Sequence, residues 1–330
     1  MLSFLARRVA AAAGILLVLT FVIFWLGQIA PGDPARAYVG ANASPEAVAA
    51  ARQQLGMNDP FLTQYLHFLG GLLTGDFGQS LRTRQPVAAD LGVYVPATVQ
   101  LVLVAFVIAL VLAALYAISS VRGWLGGTVG RSALLLLATA PPFLLAIVGI
   151  IVFFGQLHWL PARGAGDYED PGPTGMLLVD TALHGQVDAF LDALAHVVLP
   201  ATVLAIAPAV AIGRILRSSL EGVLHIDYVR TARSKGLTEG QVLRRHVVRN
   251  AIGPGLSMAG LQLGFMFAGV VVVEQVFSWP GIGNYLAASI PVDDFPAIAG
   301  VTLVLGTIYV LTTLVVDLLQ AVADPRVATG

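Results

Sequence analysis

Residues 227–250 read DYVRTARSKGLTEGQVLRRHVVRN and gather Asp227, Arg230, Arg233, Lys235, Glu239, Arg244, Arg245 and Arg249. The rest of the chain offers little such chemistry: it is 57% hydrophobic and 11% charged. A basic run of this kind can fix orientation by touching anionic lipid, or it can dock a partner. Other reactive groups are sparse. No cysteine is present, which excludes disulfides, thiolate catalysis and zinc–thiolate sites. His67, His158, His184, His196, His225 and His246 are scattered, a poor arrangement for a metal site. No Gly-Lys pair occurs, so a P-loop is excluded, and neither H-E-x-x-H nor G-x-S-x-G appears. Glu274, close to the end of an apolar stretch, is the one acid placed as an ion-coupled carrier needs. These absences suggest a pathway for a solute that something else drives.

The elements that position these residues are membrane spans. A mean hydropathy of +0.83 over 330 residues lies outside the range of soluble chains. A bilayer core about 30 Å thick takes roughly 20 apolar residues per helix. Six stretches satisfy this: 9–30, 97–118, 132–154, 196–216, 254–273 and 295–316. Arg214 is the only Lys, Arg, Asp or Glu inside them. Pro200 and Pro208 make the fourth the least continuous, and Pro141–Pro142 should kink the third. The first stretch resembles a signal peptide only in its basic start; its apolar run is long and "APGDPARA" is a poor cleavage site, so an uncleaved span is expected.

Orientation follows from the basic residues, which accumulate in cytoplasmic loops. With the N-terminus inside, 13 of the 18 Lys and Arg fall on the cytoplasmic side. Arg36, Arg52, Arg82, Arg84 and Arg163 remain outside, where the acids Asp167, Glu169, Asp170, Asp180, Asp188 and Asp192 also lie. The expected class is therefore an all-α membrane protein with six transmembrane helices, cytoplasmic termini and an external helical insertion between the first two spans. The net charge of −1 carries no nucleic-acid signal.

The loops have local order of their own. In "SPEAVAAARQQLG", Ser44 caps, Pro45 takes the first position, Glu46 meets the dipole and Gly56 closes the helix. Asp59 and Pro60 start another, with Phe61, Tyr65, Leu69 and Leu72 on one face, and the two helices read as a small cap on the bundle. Asp33 reads as a cap for the turn after "PG". An amphipathic piece runs from about 177 to 194. In the basic loop, Asp227 can cap a short helix and Gly236 can supply its left-handed end, with Lys235 in the last turn. Thr238 and Gln241 have capping-box spacing, and Leu243 and Val247 share a face of the second helix. The small residues Thr231 and Ala232 beside Gly236 favour a docking surface over a floppy tether.

At this point the sequence resembles a known family. "DYVRTARSKGL" followed by "RRHVVRNAIGP" looks like the cytoplasmic coupling loop of ABC-importer permeases of the dipeptide/oligopeptide branch. "APGDPA" at 30–35, "GDFGQSL" at 75–81, "PATVQL" at 96–101, "EQVFSWPGIGNYL" at 274–286 and "DLLQAVADPR" at 317–326 agree, in the family's order. The broad family's loop begins Glu-Ala-Ala, then three residues, then Gly; here Arg230, Thr231, Ala232 and Gly236 take those places, and Val248 and Arg249 replace the later Leu-Pro. The departure is similar to the peptide branch's own form.

The resemblance implies a non-enzymatic transport subunit in the cytoplasmic membrane of a prokaryote. It implies a first span in 1–30, an external segment at 31–94, a type-1 permease core at 95–322 with its coupling helix at about 227–237, and a cytoplasmic tail at 323–330. It further implies a second homologous permease, two P-loop ATPase subunits that carry the ATP and magnesium, and an extracytoplasmic substrate-binding protein. No cofactor is implied on this chain. The ATPase-coupling residues would be Asp227, Tyr228, Arg230, Thr231, Ala232, Lys235 and Gly236, and Ala232→Glu would uncouple without unfolding. Glu274, Phe277, Trp279, Pro280 and Gly281, with Pro141 and Pro142, are candidates for an outer gate or pathway. Against that, Glu274 can be a plain interfacial acid beside a Trp279 anchor, and the prolines simple packing irregularities. Rival readings are a nickel or glutathione permease of the same family, a stand-alone secondary transporter, and a membrane enzyme or scaffold.

Overall fold

The computed structural model describes the chain apart from residues 1, 30–34, 36–38, 41–42, 55, 123–124, 167–171, 225, 244–246 and 324–330. Among the described residues the secondary structure is helical, with one isolated bridge between Gln79 and Pro86. In chain order the helices are α1 (Leu2–Ile29), α2 (Pro45–Gln54), α3 (Phe61–Leu73), α4 (Val87–Arg122), α5 (Leu125–Thr139) and α6 (Pro142–Gly149). There follow α7 (Leu177–Leu183), α8 (Val187–Leu224), α9 (Asp227–Ser234), α10 (Glu239–Val242), α11 (Val248–Phe277), α12 (Ile282–Ser289) and α13 (Phe295–Ala323). Asp33 lies outside the described residues.

Five helices are long and apolar enough to cross a membrane, within α1, α4, α8, α11 and α13, with mean hydropathy from 2.0 to 3.1. A sixth crossing requires α5 and α6 to count together, and they meet at 115°. The expected kink in the third span is thus a break. Pro141 and Pro142 remove two adjacent N–H donors, and Pro141 sits at φ −59°, ψ 141°, an extended conformation no helix can pass through. Beyond α6 the chain continues as a π-helical stretch, Ile150–Gln156.

The fourth span corrects the expectation in the other direction. α8 runs unbroken for 38 residues through Pro200 and Pro208, both buried. Packed among neighbouring helices, the backbone groups freed by a proline can be satisfied without ending the helix. The amphipathic piece at 177–194 is divided, with α7 ending at Leu183 and α8 starting at Val187.

α4, α8 and α11 form the centre. In lipid there is no hydrophobic force between helices, so close backbone approach must supply contact. Ala105, Ala109, Ala113 and Ala117 recur every four residues on α4 and are at most 1% exposed. On α8, Ala201, Ala205 and Ala209 continue to Gly213 with the same spacing, all but the last 0% exposed and Gly213 pressed on the Tyr116 ring. α13 packs on α11 by the same device, where Gly264 lies so close that a Cβ would stand 2.8 Å from Tyr309. α1 is peripheral and joins α13, with Gly27 under the Phe295 ring and Arg8 paired to Asp317 at 2.7 Å.

The bundle has two different ends. Ala117, Leu220, Val229, Ala232, Val242, Val247 and Ala251 cluster at one, where α4 and α8 finish, α11 begins and α9–α10 lie. Val87, Leu91, Ile282, Tyr285, Ala297 and Val301 cluster at the other, where α4 and α13 begin.

Gly264→Ala should therefore push α11 from α13 and destabilise the purified protein by about 1–3 kcal/mol. Gly269→Ala on the same helix meets nothing within 4 Å and should leave stability unchanged or raise it by up to about 1 kcal/mol. Thermal unfolding in one detergent compares the two directly.

Candidate functional sites at the two ends of the bundle

The basic loop folds as two short helices. Ile226 is the N-cap of α9 and makes no side-chain bond, so Asp227 is not the expected cap; it occupies the first helical position, where a carboxylate still favours the dipole. Gly236 has φ +81°, as its left-handed role demands. Its N–H donates to the Arg233 carbonyl at 2.9 Å, and the Leu237 N–H donates to the Ala232 carbonyl at 3.4 Å. That pair of bonds closes α9 as a Schellman motif. The capping box forms: Thr238 Oγ1 accepts from the Gln241 N–H, and Gln241 Oε1 accepts from the Thr238 N–H. α10 itself is only four residues long. Leu243 and Val247 both join the buried cluster beneath it; Arg244, Arg245 and His246 lie outside the described residues.

α9 has two unlike faces. Val229 and Ala232 are buried against Leu220 of α8 and Ala117 of α4. Asp227, Tyr228, Arg230, Thr231, Arg233, Ser234, Lys235 and Gly236 are exposed. This corrects one sequence reading: Ala232 seats the helix and is not part of an outward surface. The Asn250 amide donates to the Tyr228 hydroxyl at 3.1 Å, which ties α9 to the first turn of α11. Arg233 forks onto Glu239 at 2.8 and 3.2 Å, which ties α9 to α10. The pair is exposed, so it contributes little energy, but it fixes a geometry.

The opposite end is organised by Glu274, whose side chain is fully buried on α11. Gly281, the N-cap of α12, has no side chain to cap the helix. Glu274 does so from α11: one carboxylate oxygen accepts the Gly283 and Asn284 N–H groups at 2.7 and 3.2 Å. The other accepts the Thr98 hydroxyl at 2.6 Å, and Thr98 Oγ1 accepts the Ile282 N–H at 2.8 Å. A Cβ on Gly281 would run into the carboxylate. Trp279 is 0% exposed and donates its indole N–H to the Ala97 carbonyl at 2.9 Å. Neither side chain is an exposed interfacial residue: both are fully buried in protein.

Phe277, Trp279, Gly281 and Glu274 therefore share one buried junction of α4, α11 and α12, while Pro280 is exposed on its rim. Pro141 and Pro142 stand apart, exposed at the turn between α5 and α6.

A second polar layer adjoins this junction. Ser80 Oγ donates to Asp294 Oδ2 at 2.5 Å, and Asp294 Oδ2 also accepts the Arg82 N–H at 3.1 Å. Thr83 and Tyr285 both donate to Asp90, at 2.6 and 2.8 Å. Burial above all, then the bond to Asp90 and its charge, pushes the Tyr285 phenol up from its ordinary value, so it stays a donor. Arg82 lies over the Tyr285 ring at 5.0 Å. These bonds pin residues 80–83 to α4, α12 and the start of α13. The sequence reading missed Ser80, Asp90, Thr98, Tyr285 and Asp294. A signal existed for Thr98 alone: a Glu in an apolar stretch needs a donor, and Thr98 sits in the quoted "PATVQL".

A family profile described as the inner membrane component of binding-protein-dependent transport systems matches residues 105–329, and its N-terminal companion matches residues 1–102. The chain belongs to that family. It is a multi-pass inner membrane permease component and not an enzyme. Its relatives include a dipeptide transport system permease of Alkalihalophilus pseudofirmus, 36% identical over 332 residues, and a di/tripeptide transport system permease of Pseudomonas aeruginosa, 37% identical over 332 residues. Each alignment covers 99% of both chains. A glutathione transport system permease of Salmonella typhi is 33% identical over 330 residues, again with 99% of both chains covered. α9 lies within residues 105–329, the part of the chain matched by the first of these profiles.

Glu274→Ala strands three donors and should cost on the order of 3 kcal/mol. Glu274→Gln keeps the shape and a carbonyl acceptor and should cost less. Thermal unfolding of the purified variants should rank wild type, Gln, Ala in falling order.

Proposed function

We propose that this chain forms half of an ATP-driven import pathway for di- or oligopeptides, completed by a second homologous permease. Two P-loop ATPase subunits, carrying ATP and magnesium, dock beneath the pair, and an extracytoplasmic binding protein delivers substrate. No cofactor is held by this chain.

The observation that carries the reading is the two-faced α9. A helix that only followed the lipid surface would not need a Schellman end, a buried apolar seat and a bond to the longest-running elements. Here Val229 and Ala232 anchor it to α4 and α8, and Tyr228 anchors it to α11. Displacement of α9 is thereby passed to the three central helices. The outward face, Asp227, Tyr228, Arg230, Thr231, Lys235 and Gly236, is polar and uncovered, which suits an ATPase surface. The basic residues at this end support a cytoplasmic position for it, and with it for both termini. Residues 31–94 then lie outside, before the permease core at 95–322. Glu274, Phe277, Trp279 and Gly281 fix the outer junction of the pathway, and Pro141 and Pro142 supply the bend between α5 and α6. The peptide substrate is supported by relatives named for dipeptide and di/tripeptide transport; glutathione, itself a small peptide, is the variant that the Salmonella relative favours.

The test is uptake of labelled dipeptide by vesicles holding the whole assembly with ATP inside the compartment that α9 faces. Arg230→Glu should leave membrane abundance unchanged and cut uptake at least several-fold while ATP hydrolysis continues. Ala232→Glu, which buries a charge, should also lower abundance. Uptake by this chain alone without ATP would instead establish the secondary-transporter reading.

A further inference from the structure

α3 has three distinct faces. Phe61, Tyr65 and Phe68 turn toward α1, with ring centroids between 5.2 and 6.1 Å from those of Phe21 and Phe24. Leu72 packs beside them against Ile23. Leu62, Leu66 and Leu73, spaced four and seven apart, make a second stripe that is 65%, 57% and 89% exposed. Thr63, His67, Gly70 and the C-cap Thr74 make the third. The helix carries no Lys, Arg, Asp or Glu.

The level of α3 along α1 decides what meets the leucine stripe. The Tyr65 hydroxyl donates to the Leu17 carbonyl at 3.2 Å, and Gln28 bonds Gln64 at 3.0 Å. Residues 17–28 belong to the apolar stretch Ala6–Ile29 of α1. The aromatic crossing centres on Phe24, about 8 Å below Ile29 at 1.5 Å per residue. A helix lying flat in an interface sinks its apolar face roughly 5–10 Å. Around the crossing, Val18, Phe21, Val22, Trp25, Leu26 and Ile29 of α1 are 41% to 63% exposed. The leucine stripe of α3 continues this lipid-facing surface of a membrane helix.

We propose that α3 is seated in the membrane: Leu62, Leu66 and Leu73 contact the upper acyl chains of the leaflet beside α1, and His67 and Gly70 face the headgroups and water. The 31–94 segment is then not a cap standing clear of the bilayer. Its middle is a lateral lipid anchor, and the loop at 80–83, pinned to Asp90 and Asp294, leaves that anchor from a fixed level.

The absence of cysteine makes the test clean, since each introduced thiol is unique. Full-length chain with Leu62→Cys, Leu66→Cys, Leu73→Cys or His67→Cys is labelled with an environment-sensitive fluorophore in phosphatidylethanolamine–phosphatidylglycerol vesicles. Val18→Cys serves as the lipid control and Glu46→Cys as the aqueous one. Labels at the three leucines should lose most of their fluorescence to lipid brominated high on the acyl chain and resist a water-soluble quencher, as at Val18. The His67 label should respond to the aqueous quencher. Leucine-site labels that behave like Glu46 would overturn the proposal. So would labels shielded from both quenchers, which would mean that protein covers the stripe. Three independent positions keep the test decisive if one variant fails to insert.

Discussion

A polar group inside a bilayer has no water to bond, and an unmade bond there costs several kcal/mol. That constraint organises both ends of this protein. Backbone groups are satisfied by making the spans helical. Where helices stop inside the bundle, the exposed donors need partners, and the chain supplies them from a distance. The N-terminus of α12 is capped by Glu274, which sits on another helix. Thr98, on a third helix, closes the same network from the α4 side. One buried carboxylate thus locks three elements together.

The end that carries α9 and α10 solves a different problem. α9 and α10 are too short to be stable alone, since helices under about 12–15 residues are marginal in water. Caps, the Schellman end and the apolar seat hold them in place. α9 shares a buried cluster with residues of α4, α8 and α11 and is bonded to α11 through Tyr228 and Asn250. The small-residue stripes of α4 and α8 bring those helices close, so their contact is packed backbone rather than long side chains.

The fate of individual prolines shows why local rules fall short. Pro141–Pro142 breaks its helix, while Pro200 and Pro208 sit in an unbroken one. Part of the difference is local, since a proline that precedes another proline is pushed to extended backbone and the pair loses two adjacent donors. The rest is context: Pro200 and Pro208 are each buried in α8, whereas the α5–α6 turn is exposed. Glu274 and Trp279 teach the same lesson. Position along a span suggested an interfacial pair, and packing buried both.

Hydrophobic length and turn chemistry are local or additive properties, so the residues alone determined the membrane class, the positions of five spans, the helix–Gly–helix loop with its capping box, and through the motif order the transport family. Contacts between residues far apart in sequence have no such local signature. The three-dimensional fold alone decided that Ala232 faces inward, that Glu274 caps α12 with Thr98 as its donor, that Ser80 and Asp294 meet across 214 positions, and at what depth α3 crosses α1. Which donors lie near a buried acceptor depends on how helices pack, and packing is a property of the whole chain.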